Sequence, residues 1–197
     1  MLIYKSYYRI LCSGLATALL SSVGYADQNV DITANVINNS CQLEVSDNGV
    51  VNLPTVKMDY FSDNVTAETD YPGGKEFNVH LIDCPTSDAL ISQIIFSFTP
   101  QEGTMPTGNK QVFDNALQSQ NYAAKNIGIT IFSSASNATR QNVIDADGSS
   151  RAVYTLPSQK YSDSTWTFYA RMQKIMSGEN IKPGLVSSHV FVNVSYK

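Results

Sequence analysis

Short apolar segments alternate with polar positions along most of the chain and are separated by clusters of Gly, Pro, Asn, Asp and Ser. In DQNVDITANV, Val30, Ile32, Ala34 and Val36 alternate with Asn29, Asp31, Thr33 and Asn35, the period-2 pattern of a strand with one buried face. Runs rich in Val, Ile, Thr, Tyr and Phe predict further strands near Gln42–Val45, Val50–Leu53, Phe77–Asp83, Ile94–Thr99, Ile127–Phe132, Val153–Leu156, Trp166–Lys174 and Val190–Tyr196. No amphipathic helix of useful length is expected, although TSDALISQI (Thr86–Ile94) could form one short turn. This is the pattern of an all-β sandwich.

The register of the pattern changes once, near the start. From Val30 to Val36 the apolar positions are even-numbered, whereas Ile37, Cys41, Leu43 and Val45 are odd. A one-residue shift turns every side chain to the opposite face, so Asp27–Val36 and the strand after it belong to different sheets or to different proteins. At the other end, Val190, Val192, Val194 and Tyr196 alternate with Phe191, Asn193 and Ser195, and the sequence stops one residue later. An edge strand of this kind exposes unpaired backbone groups and an apolar face, and something else is expected to cover it. Between strands, Pro100–Lys125 is polar and broken by Gly and Pro, which predicts a long connection with at most one short strand and a candidate contact surface.

The first 26 residues change the picture of where the protein works. Lys5 and Arg9 precede the apolar run ILCSGLATALL, and Gly24-Tyr25-Ala26 offers small residues for cleavage, so residues 1–26 read as a signal peptide. That run is shorter than the roughly 20 residues a membrane span needs, so no membrane insertion is expected. Removing it leaves Asp27–Lys197, enough for one domain. Two of the 13 basic residues and none of the 17 acidic ones leave with the leader, giving a net charge of −6 and making nucleic acid a poor partner. Cys41 and Cys84 remain in a chain bound for an oxidising compartment, where such a pair closes into a disulfide. Closing a loop of 43 residues costs the unfolded chain roughly 4 kcal/mol of entropy on the loop-closure model. A metal or redox pair would call for a CxxC spacing or a nearby histidine.

Candidate chemistry is sparse. His80 and His189 sit in strand patterns without partner spacing and read as strand-surface or edge residues. No GxSxG, HExxH or Gly-rich phosphate loop occurs, and DADGS (Asp145–Ser149) reads as a β-turn rather than a calcium loop. No catalytic residue, metal ligand or cofactor is assigned.

The alternating extension ending at Cys41, the second cysteine closing FNVHLIDC, and the phrases NIGITIF, TFYARM and VNVSYK together resemble the type 1-like fimbrial subunits of the bacterial chaperone–usher pathway. The resemblance covers essentially the whole chain after the leader. It implies an incomplete immunoglobulin-like sandwich lacking its final strand, with residues 27–40 as an N-terminal donor-strand extension and 41–197 as the pilin domain. Val30, Ile32, Ala34 and Val36 would then be the donor side chains, and Val190, Val192, Val194 and Tyr196 would line the acceptor groove of the same fold. The implied partners are a periplasmic chaperone, an outer-membrane usher and neighbouring fimbrial subunits. The implied route runs through the periplasm to a fimbria on the bacterial surface. Many family members carry Gly where Ala34 stands, so the neighbour's pocket must here admit one extra methyl. Separately, Pro100–Lys125 makes the chain longer than a typical shaft subunit, which points to a minor or adaptor subunit supporting adhesion. The alternative is a single-domain adhesin that holds a host glycan or protein.

Overall fold

A computed structural model describes residues 29–34, 41–84, 92–133, 140–155 and 163–197. Among these, the strands form two five-stranded sheets. One runs in the order β3 (Val50–Asn52), β1 (Asn29–Ala34), β10 (Ser188–Tyr196), β5 (Gln93–Pro100) and β8 (Ala152–Thr155). The other runs β2 (Gln42–Val45), β4 (Lys75–Ile82), β9 (Ser164–Lys174), β6 (Ile127–Ser133) and β7 (Gln141–Asn142). The chain is therefore all-β, as its alternation predicts, and β1 and β2 lie in different sheets, as the change of register requires. The leader, the possible turn in TSDALISQI up to Ile91, and Leu156 lie outside the described residues.

Strand ends follow local chemistry. β4 stops before Asp83, whose φ of 49° leaves the extended region, and the ladder of β3 ends ahead of Pro54, which has no N–H to give. Two-residue β7 is too short to show a periodicity. The expected turn at Asp145–Ser149 is present: Gly148 N–H donates to Asp145 O at 2.9 Å and Gly148 takes a φ of 94°.

The inner faces of the two sheets meet in one aromatic core. Phe168 of β9 stacks on Phe77 with centroids 5.7 Å apart and meets Phe96 and Phe98 edge-on at 5.3 and 5.0 Å. Val51, Val190 and Val192 complete this core from the other end of the first sheet, and all three are buried. The Cys41–Cys84 disulfide ties the start of β2 to the end of its neighbour β4.

Strand β6 is buried on both faces, because the second sheet is covered on its outside as well. Its outward Gly128 lets the main chain of Val112 and Phe113 lie against the strand. A Cβ there would stand 2.2 Å from the Phe113 carbonyl oxygen. Next to it, Arg171 is fully buried, and its guanidinium donates to the carbonyls of Thr66 (2.6 Å), Thr69 (2.8 Å) and Met172 (3.1 Å) while lying 5.0 Å above the Phe132 ring. Burial pulls its pKa below the ordinary value. Gln173 Nε2 reaches Val65 O at 2.8 Å, and Asn142 Nδ2 reaches Ala67 O at 2.9 Å and Gln111 O at 3.0 Å. These side chains bind residues 65–69 down over the sheet as a polar-sealed lid.

Candidate functional site: the gap beside the last strand

β10 is central to the first sheet only because β1 lies on its outer side. On the inner side it pairs antiparallel with β5 from Val190 to Tyr196, and Lys197 continues the contact through its N–H to Gln93 O at 3.0 Å. On the outer side the partner is β1, running parallel, with Val30 opposite Ser188 and Ala34 opposite Val192. β1 in turn pairs antiparallel with β3 over three positions, from Asn29 opposite Asn52 to Asp31 opposite Val50. The only parallel pairing among the described strands is thus the one that closes the gap between β3 and β10.

The residues named for the groove all lie on β10. Val190 and Val192 are fully buried with β1 in place, and Val194 and Tyr196 are partly buried against the core. The Tyr196 hydroxyl accepts a hydrogen bond from Cys41 N–H at 3.4 Å, which brings the start of β2 to the C-terminal end of β10. Val30, Ile32 and Ala34 occupy alternate register positions of β1, and Val36 lies outside the described residues. His80 carries no chemistry of this site: on β4, its Nδ1 sits 2.9 Å from Thr165 Oγ1 on the solvent side.

Near the Ser188 end of β10, lined by residues that follow β3 and precede β10, lies an apolar cavity of about 510 Å³. Val56, Met58 and Phe61 line one side, Leu185 and Val186 line the other, and Tyr122 stands at the rim. Met58 and Tyr122 are 43% and 56% exposed, high for large apolar side chains and consistent with an incompletely covered mouth.

Periodicity did not reveal what fixes this mouth. Asn115, 1% exposed, donates through Nδ2 to Ala124 O (3.1 Å) and Leu185 O (2.9 Å), and its Oδ1 accepts from the N–H groups of Leu117 and Ser187, both at 3.1 Å. All four of its hydrogen-bonding capacities are used, and Ser188 Oγ adds a bond to Asp114 O at 2.6 Å. The segment expected to be a long connection, Pro100–Lys125, carries no named strand and is thereby pinned to the approach of β10, with Val112, Phe113, Ala123 and Ala124 buried. The available signal was the apolar pair Val112-Phe113 followed by Asp-Asn inside an otherwise polar stretch.

The family model described as "Fimbrial protein" matches residues 30–197. Over 175 residues the chain is 39% identical to the "Uncharacterized fimbrial-like protein YadK" of Escherichia coli (strain K12), covering 87% of this chain and 86% of that protein. Among solved structures, the CupB6 tip adhesin of Pseudomonas aeruginosa matches at 13% identity with a TM-score of 0.42, over 79% of this chain and 41% of that one. A family match that begins within the leading strand and runs to the last residue, with a relative this similar along most of its length, means that the chain belongs to the fimbrial proteins, subunits that assemble with one another into a surface appendage.

Proposed function

We propose that this fimbrial subunit polymerises by exchanging its leading strand: Val30, Ile32, Ala34 and Val36 fill the β3–β10 gap of a neighbour, and its own gap receives a neighbour's strand. Fimbrial proteins are structural and adhesive rather than enzymatic, so assembly is the process to explain. The observation that carries the reading is that β10, with the core residues Val190 and Val192, has a neighbour from the body of the domain only on its β5 side. The other side depends on a segment joined to the domain by the short stretch between Ala34 and Cys41.

Burying three branched side chains and one alanine contributes roughly 5–8 kcal/mol gross, and the added backbone ladder supplies continuity. A head-to-tail contact of this kind does not close on itself and produces a filament. Before assembly an open gap would aggregate, which calls for a periplasmic chaperone that covers it and an outer-membrane usher where the cover is replaced. The docked Pro100–Lys125 segment, long for a shaft subunit, supports a minor or adaptor position.

Ile32→Asp is expected to leave periplasmic accumulation intact while incorporation into fibres falls at least tenfold. Val192→Asp is expected to lower periplasmic yield itself, because it places a carboxylate in the core at the gap. Fibre incorporation of Ile32→Asp at the normal level would refute strand donation, and normal yield of Val192→Asp would move the groove elsewhere.

A further inference from the structure

We infer that a polar cleft on the second sheet is a binding site for a neutral saccharide, a function separate from assembly and independent of how the subunits join. The cleft encloses about 460 Å³, within the roughly 300–1,000 Å³ of small-ligand sites. It lies at the Lys174 end of β9, and none of its lining belongs to β1, β3 or β10, the strands around the gap.

Three stretches of chain wall the cleft: residues 62–68 in and beside the lid, 108–111 of the long connection, and 173–179 at and after the end of β9. Side chains fix each of them through the main chain. The first is held by Arg171, Gln173 and Asn142, the donors that seat the lid. In the second, Gln111 donates through Nε2 to Ile144 O at 2.9 Å, and its own carbonyl accepts from Asn142 Nδ2 at 3.0 Å and Thr130 Oγ1 at 3.1 Å. In the third, Asn109 Nδ2 reaches Ile175 O at 2.9 Å, Asn126 Nδ2 reaches Met176 O at 2.9 Å and Glu179 O at 3.1 Å, and Lys174 Nζ reaches Ser177 O at 2.6 Å. The walls are therefore in place before any ligand arrives, and binding there orders little of the protein.

What the walls leave over sets the chemistry of the ligand. The carbonyls of Val65, Thr66, Ala67, Ile175, Met176 and Ser177 already accept from those side chains, so the cleft offers no ladder to an extended peptide. Recognition falls to side chains. Arg151 occupies Glu68, which leaves Asp63 and Glu179 against Lys110 and Lys174, two charges of each sign. Neither an anion nor a cation gains from that balance, and the net charge of −6 on the chain after its leader disfavours acidic glycans further. Among the described residues, the Glu179 carboxylate and the hydroxyls of Ser62 and Ser177 make no hydrogen bond. Lys110 Nζ spends one of its three protons on Asp147 O at 3.1 Å. A sugar hydroxyl donates and accepts at once, so it pairs with acceptors and donors alike around one cleft. Val65, Ile175 and the exposed Met176 add the apolar surface that the C–H face of a pyranose requires.

An array of neutral, sialylated and amino-sugar oligosaccharides, probed with the full mature chain, tests the class of ligand. Saturation-transfer NMR with the neutral oligosaccharide that binds best tests the place. Neutral binding is expected, with a dissociation constant that rises about tenfold in Glu179→Ala and in Lys110→Ala. Ser62→Trp puts an indole into the cleft and should abolish binding. All three positions are exposed, so the denaturant midpoints of the variants should match the parent's. Incorporation of Ser62→Trp into fibres should also stay at the parent's level, which keeps this site distinct from strand exchange. No neutral oligosaccharide bound, binding confined to sialylated or amino sugars, or neutral binding that survives Ser62→Trp overturns the inference. Loss of fibre incorporation in Ser62→Trp would overturn it too, by assigning the cleft to assembly.

Discussion

Over the outer face of the second sheet the chain seals itself with side-chain hydrogen bonds, whereas beside β10 it is closed by a strand held through backbone pairing. The lid over β9 and β6 depends on particular donors: Arg171 to Thr66 O and Thr69 O, Gln173 to Val65 O, Asn142 to Ala67 O. No other segment could replace it without reproducing those geometries. The strand in the gap meets β10 over five registered positions and β3 over three, and any extended peptide with the right alternation offers the same ladder. Closure by specific side chains suits a permanent surface, and closure by backbone suits one that changes partners.

The comparison breaks most visibly at Arg171. Arg171→Met keeps much of the side-chain volume but leaves the carbonyls of Thr66 and Thr69 buried without their charged donor. The expected loss is about 3–5 kcal/mol of stability. The fluorescence of Trp166, the single tryptophan, reports it as a shift in the denaturant midpoint, since that ring packs against Tyr154 at 4.3 Å and Phe96 at 5.5 Å in the core. A loss below about 1 kcal/mol would mean that the lid is held by its apolar contacts instead. Peptide capture at the gap should be unaffected in the fraction that folds.

Asn115→Ala tests the boundary between the two regions, because Asn115 fixes the mouth of the gap with the same side-chain logic as the lid. Losing its four hydrogen bonds is expected to cost about 2–3 kcal/mol, with the orphaned Leu185 and Ala124 carbonyls dominating. Unlike Arg171→Met, it should also alter the rate of strand capture, since Ser187 N–H and the start of β10 lose their anchor. Equal capture rates in Asn115→Ala and the unaltered chain would show that the mouth is set by the strands alone.

The gap was far more legible in the sequence than the lid, and the reason is physical. Period-2 alternation reports directly which face of a strand is buried, so Val190, Val192 and the even-numbered leading residues stand out, and the phase change before Cys41 separates the two sheets. A buried arginine inside TFYARM gives no such signal. Strand β9 reads as alternating only while one face meets solvent, and from Phe168 to Gln173 both faces are covered. The partners through which Arg171 holds the lid are main-chain carbonyls more than a hundred residues earlier, and carbonyls leave no mark in a sequence. Pro100–Lys125 is the long connection without a named strand that its composition predicts, but how firmly it is anchored was not legible: besides the four bonds of Asn115, backbone pairs such as Phe113 with Ile129 and Lys125 with Lys182 hold it, and main-chain partners are likewise unmarked in a sequence.

The smallest expected effect sharpens the comparison at the lid's rim. Arg151, at the start of β8, donates to both carboxylate oxygens of Glu68 at 2.8 and 3.0 Å and to Asp145 Oδ1 at 2.7 Å, so an ion-pair clip joins the first sheet to the lid over the second. Partial burial alone would raise the Glu68 carboxyl, but hydrogen bonds from Arg151 and Gln111 outweigh it and hold the group below its ordinary value of 4.5. The Arg151 hydrogen bond likewise lowers Asp145. A carboxylate whose folded pKa is depressed contributes stability above its unfolded pKa and loses it as pH falls through the folded value. The clip is therefore intact at neutral pH and fails below about 4.5, where protonation of Glu68 begins to favour the unfolded chain. Because the Glu68 side chain is 46% exposed, Glu68→Gln should cost no more than about 1 kcal/mol at pH 7. The variant and the parent should converge in stability as the pH is taken from 5 toward 3. A difference that persists undiminished at pH 3 would show that the lid's rim is held by shape rather than charge, and the two closures would then differ only in the buried layer beneath it.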